Sequence, residues 1–270
     1  MDVVISNSLD KPPTRHTPLT PVGHYYHQIL TCLGYPLVRP PVADLLRQLH
    51  GLSGQWLVVS PLFWEASHND AQVVAIGDEL GLSEDQGQVW FDRFAEHACH
   101  YFPQCQYHDA TTWLIQVDGC PEVSAKPIQF MRQQSLFPQL AHLDDTGFWP
   151  RILTEVQMLF NQAQPLPAQR CPINGIWIWG QGTLQLPGES LILTDSDATS
   201  QLGGLLSTDV KAISTTDVFP DSALLLLEHM STLAAIQSKM DRRSVHWYWN
   251  NTAYQTHAKP WFKRLWGALC

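Results

Sequence analysis

Pro172-Ile173-Asn174-Gly175-Ile176-Trp177-Ile178-Trp179-Gly180-Gln181-Gly182 sets four large apolar residues directly before a Gly-Gln-Gly loop. The β-branched and aromatic content predicts a strand over 174–179. Side chains alternate along a strand, so Ile176 and Ile178 face one way and Trp177 and Trp179 the other. Apolar residues on both faces predict a central strand covered on both sides. In α/β proteins ligands gather beyond the carboxyl ends of strands, and glycine lets a bound group approach the backbone. Asn174, Gly175, Trp177, Trp179, Gly180, Gln181 and Gly182 are therefore the candidate ligand-binding residues. The plainer reading of the same loop is a tight exit from the strand. A dinucleotide fingerprint fails, because the third glycine is missing and Pro187-Gly188 interrupts any following helix.

Outward from this strand, Trp56-Leu57-Val58-Val59 reads as a strand closed by Ser60-Pro61, and Gln72 to Ile76 as another closed by Gly77. Ser83 and Gln86 have capping-box spacing, and Val89, Trp90, Phe94 and Ala98 supply an apolar stripe for the helix that follows. Thr111 to Val117 returns as a strand. A second long helix is expected from Phe148 to about Asn161, with Pro150 in its first turn and Ile152, Val156, Leu159 and Phe160 on one side. Further strands are expected at 190–194, 210–214, 223–227 and 244–249, and helices at 43–49, 198–206 and 228–240. This alternation predicts an α/β class with a layered sheet and flanking helices. Residues 1–54 are expected to be an N-terminal wrapping segment, irregular over 7–41 except for a short helix near 25–32. Residues 55–270 are expected to form a single α/β domain with a possible subdivision near 118–147.

The chain carries a net charge of −9 and only 16 Lys and Arg. That disfavours nucleic acid as a partner, since phosphate neutralisation needs cations. The start lacks a basic segment followed by an apolar core, and Leu224 to Leu227 is too short to be a transmembrane segment. A cytoplasmic location is expected, with the six cysteines as free, mostly buried thiols. The 11 Trp are expected to fill the core.

Trp56 to Pro61, Leu80-Gly81-Leu82-Ser83, Trp113, Glu155-Val156-Gln157-Met158-Leu159 and Ile173 to Gly182 together resemble the RpfE-type regulatory protein family of proteobacteria. The Trp-Gly-Gln-Gly segment also resembles the archaeal-type cofactor-independent phosphoglycerate mutases. That resemblance implies an alkaline-phosphatase-like α/β core in reduced form. It also implies two divalent metals and a Ser nucleophile, with the metals held by Asp and His clusters. The departures from the mutase pattern are specific. The mutases open with an Asp-Gly metal motif on the first strand, whereas the one Asp-Gly here is Asp118-Gly119. Where they carry a late His-and-Asp cluster, this chain has Glu228-His229 without a matching Asp or second His.

Two further constellations bear on chemistry. Leu191 to Thr199, with Asp195 and Asp197, resembles the first motif of haloacid-dehalogenase-type phosphatases, and the plain reading is a strand end whose Asp caps the next helix. His97, Cys99, His100, Cys105 and His108 are the densest set of soft ligands and would suit zinc or copper, although no pair has zinc-finger spacing. The basic, aromatic stretch 259–270 is a candidate contact for an unknown protein partner. No nucleophile motif of the Gly-x-Ser-x-Gly kind occurs. The expectation is a non-catalytic regulatory or interaction protein without a cofactor. The alternatives are a phosphoglycerate mutase-like phosphotransferase or phosphatase using a divalent metal such as manganese or zinc, and a metal-binding protein.

Overall fold

The computed structural model describes residues 1–6, 16–20, 23–66, 68, 70–164, 166–216, 218–240, 243–249 and 252–257. The partner stretch 259–270 lies outside these residues. Strand β1 (Asp2–Ile5) and β2 (Thr17–Leu19) precede helices α1 (Tyr25–Cys32) and α2 (Val42–Leu49). Next come β3 (Trp56–Ala66), β4 (Ala71–Ile76), α3 (Glu84–Ala98), β5 (Cys105–Asp109), β6 (Thr112–Gln116), α4 (Leu136–Ala141), α5 (Phe148–Gln162) and β7 (Gly175–Trp179). The chain continues through β8 (Ile192–Thr194), α6 (Asp197–Leu206), β9 (Val210–Ala212), β10 (Leu224–Leu227), α7 (Met230–Met240), β11 (Val245–Trp249) and β12 (Thr252–Thr256). The class is mixed α/β.

The chain forms two compact units, one from 1–35 and 185–270, the other continuous over 36–184. These limits differ from the expected division at 54/55. The short β-branched run Val3-Val4-Ile5 pairs in parallel with β10 on one side and β11 on the other. The chain's first residues are thus a strand at the centre of a sheet whose other members, β2 apart, come from its last third.

In the first unit the strand order is β2-β12-β11-β1-β10-β8-β9. The five strands from β11 to β9 are parallel, and β12 and β2 add antiparallel pairings at one edge. Leu224 to Leu227 are all buried, as expected of a parallel strand covered on both faces. The core gathers Val3, Ile5, Leu193, Leu225, Leu227, Val245, Trp247 and Tyr254.

In the second unit β3 is the spine. Its first half pairs with β6, its second half with β4 and its middle with β7, all antiparallel. The strand passes through Pro61, which faces Ile176 of β7, so the expected stop at Ser60-Pro61 does not occur. The Ser83–Gln86 capping box is present, with Ser83 Oγ accepting the Gln86 N–H and Gln86 Oε1 the Ser83 N–H. Trp90, Phe91, Phe94 and Ala98 line the buried face of α3, while Val89 turns outward. On α5 the buried residues are Trp149, Ile152, Leu153, Val156 and Phe160. Of the Trp residues described, all but Trp64 are buried. The five described cysteines are free but half-buried or exposed rather than buried.

Candidate functional site

The Gly-Gln-Gly strand keeps its polar atoms for the fold. β7 is buried throughout, yet among the described residues it pairs with β3 alone. It is covered on both faces, as expected, but bonded along one edge. Trp177 Nε1 donates to the Lys126 carbonyl at 2.8 Å and Trp179 Nε1 to Ser60 Oγ at 3.0 Å. Asn174 directly precedes β7, one residue past the last β3–β7 pair, Leu62 with Gly175. Its Oδ1 accepts the Trp64 N–H at 2.9 Å and its Nδ2 donates to the Trp64 carbonyl at 2.7 Å. The side-chain amide thus stands in for a further residue of ladder, satisfying Trp64 backbone groups that lie past the end of β7. A Cβ on Gly175 would stand 3.1 Å from the Trp64 ring nitrogen.

Gly180 turns the chain with φ +84°, and its carbonyl accepts the Ala43 N–H at 3.1 Å. A Cβ there would meet Val58 at 3.0 Å and the Ala43 nitrogen at 3.1 Å. Gln181 Nε2 donates to the Ala125 carbonyl at 2.8 Å, and Gly182 lies against Pro41. The glycines here admit the N-terminus of α2 to close approach. Gln181 Oε1 is a buried acceptor without a hydrogen-bond partner among the described residues. At the opposite end of β7, Asn174 borders a cleft of about 300 Å³ with Phe63, Trp90, Phe160, Asn161 and Ile173.

The five soft-ligand candidates separate into two places. Cys99 Sγ lies 3.8 Å from His100 Nδ1, and His97 Nε2 faces Glu155 Oε2 at 3.6 Å. His108 instead contacts His50 at 2.9 Å. Burial pushes the Cys105 thiol up to about 11, so with no metal on it the thiol is protonated at neutral pH. Among the described residues no three His, Cys, Asp or Glu side chains converge to hold a metal ion.

A second locus, at the first unit's parallel sheet, follows from topology. The connection β8–α6–β9 leads toward one edge of the sheet, and β10–α7–β11 crosses β1 in the other direction. The strand order therefore reverses between β8 and β10, the kind of position beyond whose carboxyl strand ends α/β sheets bind ligands. Asp195 follows β8 there. Its Oδ1 accepts the Glu228 N–H and its Oδ2 the His229 N–H, each at 2.9 Å. Ser196 caps α6 through the Thr199 N–H. Ser6 follows β1 and donates to the Leu227 carbonyl at 3.4 Å. Tyr25 opens α1, its hydroxyl buried without a hydrogen-bond partner among the described residues. Burial first, then Tyr26, Asp195 and Glu228, push its phenol well above the usual range, so it remains a neutral donor.

Ser6 and Tyr25 were not singled out from sequence. Their proximity to Asp195 and Glu228 depends on strand order, and four-residue strands carry no signal of order. The metals implied by the mutase resemblance do not fit this locus. Its central carboxylate already binds two backbone amides, and no trio of ligands converges among the described residues.

No helix of the described residues is long and apolar enough to cross a membrane. No family model and no curated protein match the sequence, so the RpfE-type resemblance has no counterpart in these comparisons. The chain is similar to a solved structure, the cofactor-independent phosphoglycerate mutase from Thermoplasma acidophilum DSM 1728. The TM-score is 0.35 and the identity 12%, over 94% of this chain and 88% of that one. A likeness at that level carries no argument about chemistry.

Proposed function

We propose that this chain is a non-catalytic regulatory or interaction protein on an α/β frame. The observation that supports this reading best is Asp195. At the place where a phosphoryl-transfer enzyme with such a sheet would present a carboxylate to metal or substrate, both oxygens instead hold the β10–α7 turn. Each accepts a charge-assisted bond from backbone, the role of a clamp. The Trp-rich strand end agrees with this reading, because its indole and amide donors are satisfied within the fold.

A metal-dependent mutase-like or phosphatase activity is the second reading. It is favoured by Ser6, Asp195 and Glu228 following three neighbouring strands, β1, β8 and β10. Metal analysis of the purified full chain, with phosphomutase and phosphatase assays in manganese and in zinc, separates the two. The expected result is substoichiometric metal and no turnover. Turnover that falls in Glu228→Gln would replace the first reading with the second. For the interaction role, a partner retained by the full chain and lost on removal of 259–270 is the expected outcome of affinity capture.

A further inference from the structure

Two imidazoles from different elements touch in the second unit. His50 caps the C-terminus of α2, and His108 lies in β5. His50 Nε2 and His108 Nδ1 are 2.9 Å apart, a hydrogen-bond distance. The ring centroids are 5.1 Å apart and the planes cross at 88°. At that nitrogen separation, so wide a centroid spacing means that the rings meet nearly head-on. A metal chelated by both would lie to one side of the nitrogen–nitrogen line and bring the ring centres closer. The arrangement suits one proton between the rings.

A neutral imidazole offers one donor nitrogen and one acceptor. Asp109 Oδ2 lies 3.9 Å from His108 Nε2, which favours the proton there and leaves Nδ1 as the acceptor. His50 then donates from Nε2. A second proton on the pair removes the acceptor, and two cationic N–H groups face each other. The acidic groups facing His108 are Asp109 and, from the first turn of α3, Glu84. Asp78, beyond β4, faces Asp109. On α2 itself, Asp44 is held by Arg47 at 2.7 Å.

We propose that His50 and His108 form a one-proton latch that fastens the last turn of α2 to β5 and releases it on acidification. Burial holds both imidazoles below the ordinary histidine value of 6.5; for His108 it outweighs the acidic neighbours. With folded-state values depressed, the contribution of the pair to stability is complete above the unfolded value. It is lost as pH falls from there through the folded values. The fully buried Val42, Ala43, Leu45 and Leu46 keep the rest of α2 anchored, so release is confined to the last turn and residues 50–54. The latch does not depend on the function proposed above.

Amide hydrogen exchange of the full chain at pH 7.5 and 5.5, corrected for intrinsic chemistry, reads this directly. Between those pH values, peptides over residues 46–55 are expected to open about tenfold more readily in the wild type, the equivalent of one pKa unit. In His50→Ala the pH step is expected to vanish. An unchanged wild type, or a step that persists in His50→Ala, overturns the latch. Ring-nitrogen NMR of the wild type gives a second readout that does not require the variant to fold. Stepwise protonation, with one ring accepting its proton well below the other, supports the latch. Two independent titrations near 6.5 overturn it.

Discussion

β7 and β8 end alike in sequence, each an apolar run followed by a short polar turn, yet they belong to sheets of opposite kind. β8 lies between parallel neighbours β10 and β9. Strand ends of one polarity therefore line up along one edge, and Ser6, Asp195 and Glu228 follow three adjacent strands there. β7 runs antiparallel to β3, so neighbouring ends alternate in polarity and no such edge forms. The rule that ligands gather beyond carboxyl strand ends comes from parallel sheets. It transfers to the turn at Asp195 and not to Gly180-Gln181-Gly182. A glycine pair after an apolar strand marks close backbone approach in both settings, and the direction of the neighbouring strand decides what approaches. At Gly180 the approaching group is the N-terminus of α2.

The largest effects that test this contrast lie at the end of β7. Trp179→Ala empties a fully buried ring site and leaves the buried Ser60 hydroxyl without its indole donor. A loss of about 3–5 kcal/mol is expected in urea unfolding. A loss under about 1 kcal/mol would mean that the ring is not a packing element, and a binding role for β7 would regain ground. Gly180→Ala is expected to lose about 2–3 kcal/mol. A side chain at positive φ costs about 1–2 kcal/mol, and the new Cβ also presses on the Ala43 nitrogen.

Asp195→Ala is the matching change in the parallel sheet. It strands two backbone N–H groups, those of Glu228 and His229. Roughly 1–3 kcal/mol is expected, with faster amide exchange at the start of α7. Asp195→Asn keeps acceptor capacity on one side only and is expected to fall between Ala and the wild type. A clamp predicts this order in stability. Stability equal to the wild type in both variants would mean that the carboxylate is held for a ligand instead.

The elements of both sheets were legible where local chemistry decides them. The Ser83–Gln86 box, the Phe148 helix and the strands near 175–179, 192–194, 224–227 and 245–249 follow from capping and apolar runs. Two kinds of feature were not legible. β1 is four residues long, and its partners lie some 220 and 240 positions away, so nothing nearby marks it as a sheet centre. The outward turn of Val89 was missed because Val89, Trp90 and Phe91 are consecutive apolar residues and helical phase alone chooses which are buried. The candidate site suffered from the first difficulty. The glycine motif is visible in sequence, whereas the reversal of strand order at Asp195 exists only once the whole sheet is assembled.

The smallest effect is expected at Tyr25 and carries the opposite sign. Its hydroxyl is buried beside Asp195 and Glu228 with no hydrogen-bond partner among the described residues. Burying a hydroxyl unpaired is unfavourable, so Tyr25→Phe, which keeps the ring and removes that oxygen, is expected to stabilise the chain by up to about 1 kcal/mol. Urea unfolding of wild type and variant, at equal protein concentration and without added ligand, measures the difference. Destabilisation by about 1 kcal/mol or more would show that the hydroxyl donates to something in the native protein. Asp195 and Glu228 both act on it electrostatically, so a donor there would tie α1 to the strand ends at the strand-order reversal. The contrast between the two sheets would then sharpen, with the parallel edge a built polar site and the end of β7 packing alone. A neutral or stabilising result leaves the Asp195 turn as a clamp, and the two strand ends then differ in geometry but share a structural role.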